Sequence, residues 1–234
     1  MNESVDPNVD NISSLARAQQ LARYEYALRY VRDGDRVVDA ACGVGYGSRI
    51  LAQKARKIFA IDRNREFVEY AQRKYDHPRI DHILTDLNYR LPILRNSVDV
   101  LVSLETVEHL NDPFRFLENG RRTLRDSGTL ILSFPNPSNE KYNSNPHHNN
   151  NFDLPSITKW LLANYSSCEF KGQGIVLGSV LGRMYKNGFK PGVTENHPRI
   201  KGFTDRLPFF SYLGSRVTSC LTSTAQYMYV VARR

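Results

Sequence analysis

The segment 37–52 constrains the fold of this chain more than any other. It reads VVDAACGVGYGSRILA, an apolar run that ends in an acid, then three alternating glycines, then a helix-forming stretch. Glycine has no Cβ atom, so Gly43, Gly45 and Gly47 allow a strand to turn sharply into a helix and backbone N–H groups to approach a bound polar ligand. The segment therefore predicts a strand, a turn and a helix with a ligand at the turn.

Three acids lie at the ends of successive apolar runs. Asp39 precedes Gly43 by four residues, Asp62 follows Gly47 by fifteen, and Asp86 follows the third run. In a doubly wound sheet, a carboxylate in the position of Asp62 lies beside the ribose hydroxyls of an adenosine ligand. The glycines are spaced G-x-G-x-G, which differs from the G-x-G-x-x-G fingerprint of NAD-binding domains.

This spacing resembles motif I of the class I S-adenosylmethionine (SAM) dependent methyltransferases. Further matching motifs are, in chain order, RY at 23–24, ACGVGYGS at 41–48, ETVEHL at 105–110, SFPN at 133–136, NPHH at 145–148 and GQG at 172–174. The set spans about residues 23–232 and is similar to the branch found in cell-surface polysaccharide and glycolipid biosynthesis, which is related to quinone O-methyltransferases. The chain departs from it at Ala41, where the family usually has glycine, and at NNNF in 149–152, where much of the branch has His-x-x-Glu-Phe.

The resemblance implies SAM as the cofactor. It implies that Asp62 binds the ribose hydroxyls, that Asp86 accepts a hydrogen bond from the exocyclic amine of adenine, and that Leu87 packs on the adenine ring. The other cofactor-binding residues that we expect are Tyr24, Asp39, Ala41, Gly43, Gly45, Gly47, Arg63, Leu104 and Glu105.

The candidate catalytic residues follow the apolar run 98–102. In the resembling sugar O-methyltransferases a histidine in this loop is the general base, which implies that role for His109, with Glu108 orienting it or binding the acceptor. Imidazole is suited to proton removal because its pKa lies near neutral pH. The alternative for His109 is a structural role, as a cap on the next helix or a hydrogen bond that holds the loop. We expect Glu105 to close the cofactor pocket rather than to react.

These residues predict an enzyme that transfers a methyl group from SAM to a hydroxyl of a small or lipid-linked acceptor, with a sugar as the expected substrate. One alternative is a metal-assisted RNA ribose 2′-O-methyltransferase. In it Glu105, Glu108 and His109 would share a helical face and bind a divalent ion together with His147 or His148. The second alternative is a non-catalytic SAM-fold subunit of a larger enzyme. The main prediction assigns no metal ligand.

The composition of the chain limits the classes of partner that we expect. The net charge is +8 among 234 residues, but the basic side chains are scattered, so we interpret them as a solvated face and expect no stable nucleic-acid partner. No apolar run approaches the ~20 residues of a membrane helix, and the acidic start is unlike a signal peptide. Three well-separated cysteines favour a reducing, cytoplasmic setting.

Alternating strands and helices predict the fold class α/β, a doubly wound, Rossmann-like, mostly parallel seven-stranded sheet with the last strand antiparallel. We expect a single domain in which 1–12 is a loose tail, 13–137 the SAM-binding core, 138–225 the acceptor-shaping region and 226–234 the last strand. The predicted helices are 15–31, 48–54, 64–75, 113–125 and 157–165. The predicted strands are 36–41, 57–61, 79–84, 98–104, 129–134, 169–172 and 226–232. Helix 15–31 is expected to lie over the cofactor site.

Overall fold

The computed structural model describes residues 5–10, 12–136, 153–173, 217–218 and 227–234. Its helices are α1 (Ser14–Leu28), α2 (Tyr46–Leu51), α3 (Arg65–Lys74), α4 (Pro113–Thr123) and α5 (Leu154–Asn164), with a short 3-10 helix at Val107–His109. None of the helices in these ranges is long and apolar enough to cross a membrane. His147, His148 and most of the predicted acceptor-shaping region 138–225 lie outside the described residues.

The strands form one sheet. They are β1 (Arg36–Ala40), β2 (Lys57–Asp62), β3 (Ile80–Leu84), β4 (Val98–Leu104), β5 (Leu124–Pro135), β6 (Ser167–Gln173), β7 (Val217–Thr218) and β8 (Tyr227–Arg233). Within the described ranges their order is β3-β2-β1-β4-β5-β8-β6-β7. The first five strands in this order are parallel, and β8 runs antiparallel to both β5 and β6. The predicted fold class is confirmed, and β7 adds a two-residue edge strand.

Apolar side chains cover both faces of the sheet, as its alternating pattern requires. On one face Val37 and Val102 pack with Ala27 of α1 and Leu51 of α2. The opposite face forms a second core, in which strand residues such as Leu101 pack with the apolar sides of α4 and α5. Because helices cover both faces, a ligand can reach the central strands at the ends of the strands. In doubly wound sheets it binds at their carboxyl ends.

Side-chain caps explain where four helices begin. Ser13, Asn64, Asp112 and Asp153 each accept a hydrogen bond from a backbone N–H two or three residues further on. Such a cap satisfies one of the unpaired N–H groups of the first turn and contributes about 1 kcal/mol to stability. The four helices therefore start within three residues of their predicted positions.

Several predicted boundaries differ from the structure: α1 ends at Leu28 rather than at residue 31, α2 spans Tyr46–Leu51 rather than 48–54, and β5 begins at Leu124 rather than at residue 129. Helix α4 ends at Thr123 rather than at residue 125, because Leu124 is extended (φ −67°, ψ 141°) and pairs with Val98 at the start of β5. The predicted loose tail 1–12 is not loose over residues 5–10, which form a turn that packs against α3. Asp6 in this turn is only 2% exposed, because its carboxylate accepts hydrogen bonds from the hydroxyls of Tyr70 and Tyr75.

Gly34 and Gly45 have nearly the same φ but different surroundings. Substitution of the two therefore distinguishes the cost of backbone strain from the cost of close packing. Gly34 has φ 91° and no atom within 4 Å of the place where a Cβ would lie. Gly45 has φ 89°, but a Cβ there would lie 2.5 Å from Ala71 Cβ and 3.2 Å from Ala71 Cα.

We expect Gly34→Ala to lower the free energy of unfolding by about 1 kcal/mol, the cost of a left-handed non-glycine residue. Gly45→Ala should cost about 1–3 kcal/mol more, because α3 must also move away. Urea unfolding of the two variants measures both values. Equal losses would contradict the close packing of α3 on the turn.

Candidate active site

A cavity of about 860 Å³ lies at the carboxyl ends of β1, β2, β3 and β4, between α1 and the start of α3. Its volume is within the usual range for small-molecule sites, about 300–1,000 Å³. The structure brings ten of the predicted site residues to its wall: Tyr24, Ala41, Gly43, Asp62, Arg63, Asp86, Leu87, Leu104, Glu105 and His109. Four others, Asp39, Gly45, Gly47 and Glu108, do not line it.

The turn after β1 exposes backbone to the cavity. Ala41 (φ 62°) and Gly43 (φ 54°) are both left-handed, and both line the cavity. Left-handed φ at Ala41 explains why glycine suits this position in the resembling family, because a Cβ there costs roughly 1–2 kcal/mol. The turn is fixed to the next strand by the hydrogen bond from Cys42 N to Ile61 O (2.8 Å).

Gly45 and Gly47 serve packing rather than ligand contact. Gly45 lies against Ala71 of α3, whereas a Cβ at Gly47 would lie 2.0 Å from the ring of Tyr24. The missing side chain of Gly47 therefore lets the Tyr24 ring of α1 cross the start of α2. The glycine spacing predicts the turn correctly, but only Gly43 of the three lines the cavity.

Asp39 lies behind the turn. Its side chain is completely buried and accepts hydrogen bonds from Ser48 Oγ (2.6 Å) and from Tyr24 Oη (3.2 Å). Burial raises the pKa of Asp39 to about 7, although these two bonds lower it, and the charge of Asp62 adds to the increase. Asp39 thus supports the cavity wall from behind by joining β1, α1 and α2.

Asp62 presents a fixed carboxylate at the end of β2. One oxygen accepts a hydrogen bond from Gly43 N and the other from Asn64 N, both at 2.8 Å. Burial raises the pKa of Asp62, while the bonds from Asn64 and Gly43 lower it. The backbone N–H of Arg63 also bonds to this carboxyl group, so of its roughly four acceptor positions about one remains for a ligand hydroxyl. This geometry fits a ribose.

Asp86 and Leu87 line the same cavity just after β3, the strand that pairs with β2. The Oδ1 atom of Asp86 accepts hydrogen bonds from Asn88 N (2.9 Å) and Asn88 Nδ2 (3.0 Å), which fix the carboxyl group. Leu87 is buried in the wall. A hydrogen-bond acceptor beside an apolar side chain suits the edge and the face of a base.

Glu105 closes the cavity at the end of β4. Its backbone is left-handed (φ 53°), and its Oε1 atom accepts a hydrogen bond from Ser133 Oγ on β5 (2.6 Å). Strained non-glycine residues of this kind cluster at functional sites. The adjacent Thr106 lines the cavity as well, with its Oγ1 atom 3.1 Å from Leu104 O.

His109 and Glu108 differ in their access to the cavity. The side chain of His109 is 35% exposed and lines the cavity, whereas Glu108 is 3% exposed and does not. Glu108 Oε1 is 3.8 Å from His109 Nε2. Burial, and after it the charge of Glu105, raise the pKa of Glu108 well above its usual value. Burial therefore favours the protonated form of Glu108.

The prediction that Glu105, Glu108 and His109 share a helical face is wrong. The left-handed Glu105 precedes a 3-10 helix of three residues, so the spacing i, i+3, i+4 does not place the three side chains on one α-helix. Among the described residues, no group of three or more His, Cys, Asp or Glu side chains could hold a metal ion.

Helix α1 lies over the cavity, as expected. Arg23 is the centre of its attachment: its Nε donates to Gln173 Oε1 (2.8 Å), its guanidinium lies 4.2 Å from the centre of the Tyr227 ring, and its carbonyl accepts from Tyr229 Oη (3.0 Å). These contacts join α1 to β6 and β8. They hold Tyr24, the next residue, above the turn.

The sequence prediction missed several residues of the wall. Most of them adjoin predicted positions, so they could have been found as neighbours of the motifs, but Val5, Gln20 and Phe67 have no such signal. The missed residues are Val5, Gln20, Arg23, Cys42, Tyr46, Asn64, Arg65, Phe67, Asn88, Thr106 and Leu110.

Several known proteins that are similar in sequence to this chain are methyltransferases. Residues 38–132 match the family model described as "Methyltransferase domain". A probable SAM-dependent methyltransferase of Mycobacterium tuberculosis is 34% identical over 131 residues, 54% of this chain and 46% of that protein. A ubiquinone biosynthesis O-methyltransferase of Xanthomonas campestris is 29% identical over 114 residues, 47% of this chain and 48% of that protein.

A solved structure supports the fold over a larger part of the chain. It is a SAM-dependent methyltransferase of Thermotoga maritima, described as a possible histamine N-methyltransferase, with a TM-score of 0.63 over 94% of this chain and 91% of that one. At 13% identity this likeness shows the fold alone.

The fold, the glycine turn and the acids at the strand ends are those of a class I SAM-dependent methyltransferase domain, and this resemblance gives SAM as the cofactor. The chain spans about half the length of the curated relatives that it matches.

Asp62→Ala should abolish cofactor binding, because it removes the only acceptor that we assign to the ribose and leaves Gly43 N and Asn64 N unpaired. Calorimetric titration with S-adenosylhomocysteine measures the loss. Asp81→Ala is the matched control, since Asp81 on the neighbouring strand pairs with Lys57 (2.6 Å) and does not line the cavity. Unchanged affinity in the Asp62 variant would contradict the ribose assignment.

Asp39 should make stability depend on pH. Its pKa rises from 3.8 to about 7 on folding, so between these values the folded state binds more protons than the unfolded state. Its contribution is therefore fully present below about pH 4 and is lost as the pH rises through about 7. Urea unfolding of Asp39→Asn across this range should show a flatter pH profile than the unchanged protein. Parallel profiles would mean that Asp39 is not neutral when buried.

Proposed function

We propose that the protein transfers a methyl group from SAM to a hydroxyl of a small or lipid-linked acceptor, and that the acceptor is a sugar. One observation carries this proposal: His109 lies in the wall of the same cavity as Asp62 and Asp86. A candidate base and the candidate cofactor residues thus share one cavity.

The residues that line the cavity suggest separate roles in binding the cofactor and in the reaction. When bound, SAM supplies an activated methyl group on a sulfonium centre. Asp62, Asp86 and Leu87 hold the adenosine part, while Glu105 and the turn at Ala41 confine the rest. His109 accepts the proton of the acceptor hydroxyl. Alignment in such a confined site provides most of the acceleration, and a general base adds about 10²- to 10⁴-fold.

Glu108 positions His109 rather than binding the acceptor. Its burial behind the wall keeps it from a ligand in the cavity, and its carboxyl group is the neighbour of the imidazole.

Methylation at oxygen is supported by the O-methyltransferase among the relatives, and the sugar by the motif set at 105–110 and 133–136. The metal-assisted RNA alternative is weaker because Glu105, Glu108 and His109 do not share a helical face. The non-catalytic alternative is weaker because the glycine turn and Asp62 are intact.

His109→Ala should lower the turnover number by about 10²- to 10⁴-fold, the contribution of a general base. Affinity for S-adenosylhomocysteine should stay within about two-fold, because the residues assigned to adenosine do not change. His77→Ala, a histidine before β3 that does not line the cavity, is the control. Full turnover in the His109 variant would remove it as the base.

The proposed acceptor class is tested by incubating the purified protein with methyl-tritiated SAM and a lysate of the source cells. The label is then fractionated into saccharide, lipid, RNA and protein. Label in saccharide or glycolipid supports the proposal. Label in RNA favours the metal-assisted alternative, and binding without any transfer favours a non-catalytic subunit.

A further inference from the structure

Residues 5–10 form a turn that is built around Asp6. The carbonyl oxygen of Asp6 accepts hydrogen bonds from the N–H groups of Val9 (3.1 Å) and Asp10 (2.8 Å). Its own N–H donates to Asp10 Oδ2 (2.7 Å), and its carboxylate accepts from Asn8 N (2.9 Å). Aspartate side chains commonly close turns in this way. The segment therefore has a defined shape, and the contacts of Asp6 decide where it lies.

The Asp6 carboxylate is anchored at the carboxyl end of α3. Asp6 Oδ2 accepts from Tyr70 Oη (2.8 Å) and Tyr75 Oη (2.7 Å) and lies 3.3 Å from Lys74 Nζ. Burial by itself would raise the pKa of Asp6, but the hydrogen bonds from Tyr75, Asn8, Tyr70 and Lys74 lower it below its usual value. A buried anion with several donors is a strong attachment for a short segment, because charge-assisted hydrogen bonds are about twice as strong as neutral ones.

This attachment places Val5 in the cavity wall. Val5 adjoins Asp6 in the chain and lines the cavity together with Arg65 and Phe67 of α3. The position of α3 relative to the turn is itself fixed, because Ala71 packs on Gly45. Segment 5–10 and α3 therefore approach the cofactor cavity as one unit that is joined through Asp6.

We propose that segment 5–10 is a strap across the cofactor cavity and that Asp6 is its positioning residue. With the strap docked, the apolar side chain of Val5 covers part of the cavity and limits the access of water. Undocking of the strap, which breaks the bonds of Asp6, then uncovers this part of the cavity. Asp6 does not line the cavity, so its effect on the ligand passes through Val5. This inference rests on the cavity being the SAM site.

Calorimetric titration of the full chain with S-adenosylhomocysteine tests the strap. Asp6→Asn keeps the shape of the side chain and removes its charge, and we expect about ten-fold weaker binding, within the usual range of coupling between sites. A double variant, Tyr70→Phe with Tyr75→Phe, removes both hydroxyl donors and should have the same effect if Asp6→Asn does not fold. Asp99→Asn is the matched control, because Asp99 accepts from Arg36 N (2.8 Å) and pairs with Arg125 at the other end of the sheet.

Each outcome is decisive. Weaker binding in the Asp6 and tyrosine variants, with unchanged binding in the Asp99 variant, supports the strap. Affinities within about two-fold of the unchanged protein in the Asp6 and tyrosine variants overturn it. An equal loss in the Asp99 variant overturns it too, since general destabilisation then explains the result. If the unchanged protein does not bind S-adenosylhomocysteine, the cofactor site itself is wrong, and the strap fails with it.

Amide hydrogen exchange distinguishes a strap from a merely structural role of Asp6. Coupling between two sites is reciprocal, so a strap that retains the ligand must itself be stabilised by the ligand. Saturating S-adenosylhomocysteine should therefore slow the exchange of the amides in 5–10 in the unchanged protein by about ten-fold, and less in Asp6→Asn. Equal exchange with and without ligand overturns the proposal.

Discussion

The buried carboxyl group of Asp39 is the constraint on which the cofactor site depends. Its hydrogen bonds to Ser48 and Tyr24 join the first strand to the helix after the turn and to the helix above it. Tyr24 can reach Asp39 only because Gly47 has no side chain in its path. The Asp39 carboxyl group, the Ser48 hydroxyl, the Tyr24 side chain and Gly47 thus determine how the turn presents its backbone to the cavity. Replacement of Asp39, Ser48 or Gly47 would change the shape of the wall, although none of the three lines the cavity.

The parts of the fold that the sequence predicts well are those with a local cause. Strands 98–104 and 57–61 are nearly continuous apolar runs, and the helix starts at Asn64 and Asp112 carry their own capping side chains. Asp62 and Asp86 could be placed because a parallel sheet brings the ends of its strands together. These features do not depend on distant residues, so their pattern is visible in the chain itself.

The parts that the sequence does not predict depend on contacts between distant segments. Gly45 and Gly47 look alike in the motif, but their roles are set by Ala71 and Tyr24, which lie 26 residues after and 23 residues before them. Residues 5–10 are polar and read as a tail, yet the hydroxyls of Tyr70 and Tyr75 bury Asp6. The spacing of Glu105, Glu108 and His109 suits a helical face, but the left-handed Glu105 ends that regularity. Spacing alone carries no information about such a backbone change.

The acids around the cavity show how stability and binding are connected. Burial raises the pKa of Asp39 and of Asp62, and the charge of Asp62 raises that of Asp39 further. Keeping these groups close together therefore costs folding free energy in the empty protein. A ligand that donates hydrogen bonds to Asp62 and carries positive charge relieves part of this cost, as SAM would. Because a ligand that binds only the folded state stabilises it by mass action, the groups that weaken the empty domain are the same ones that favour its cofactor.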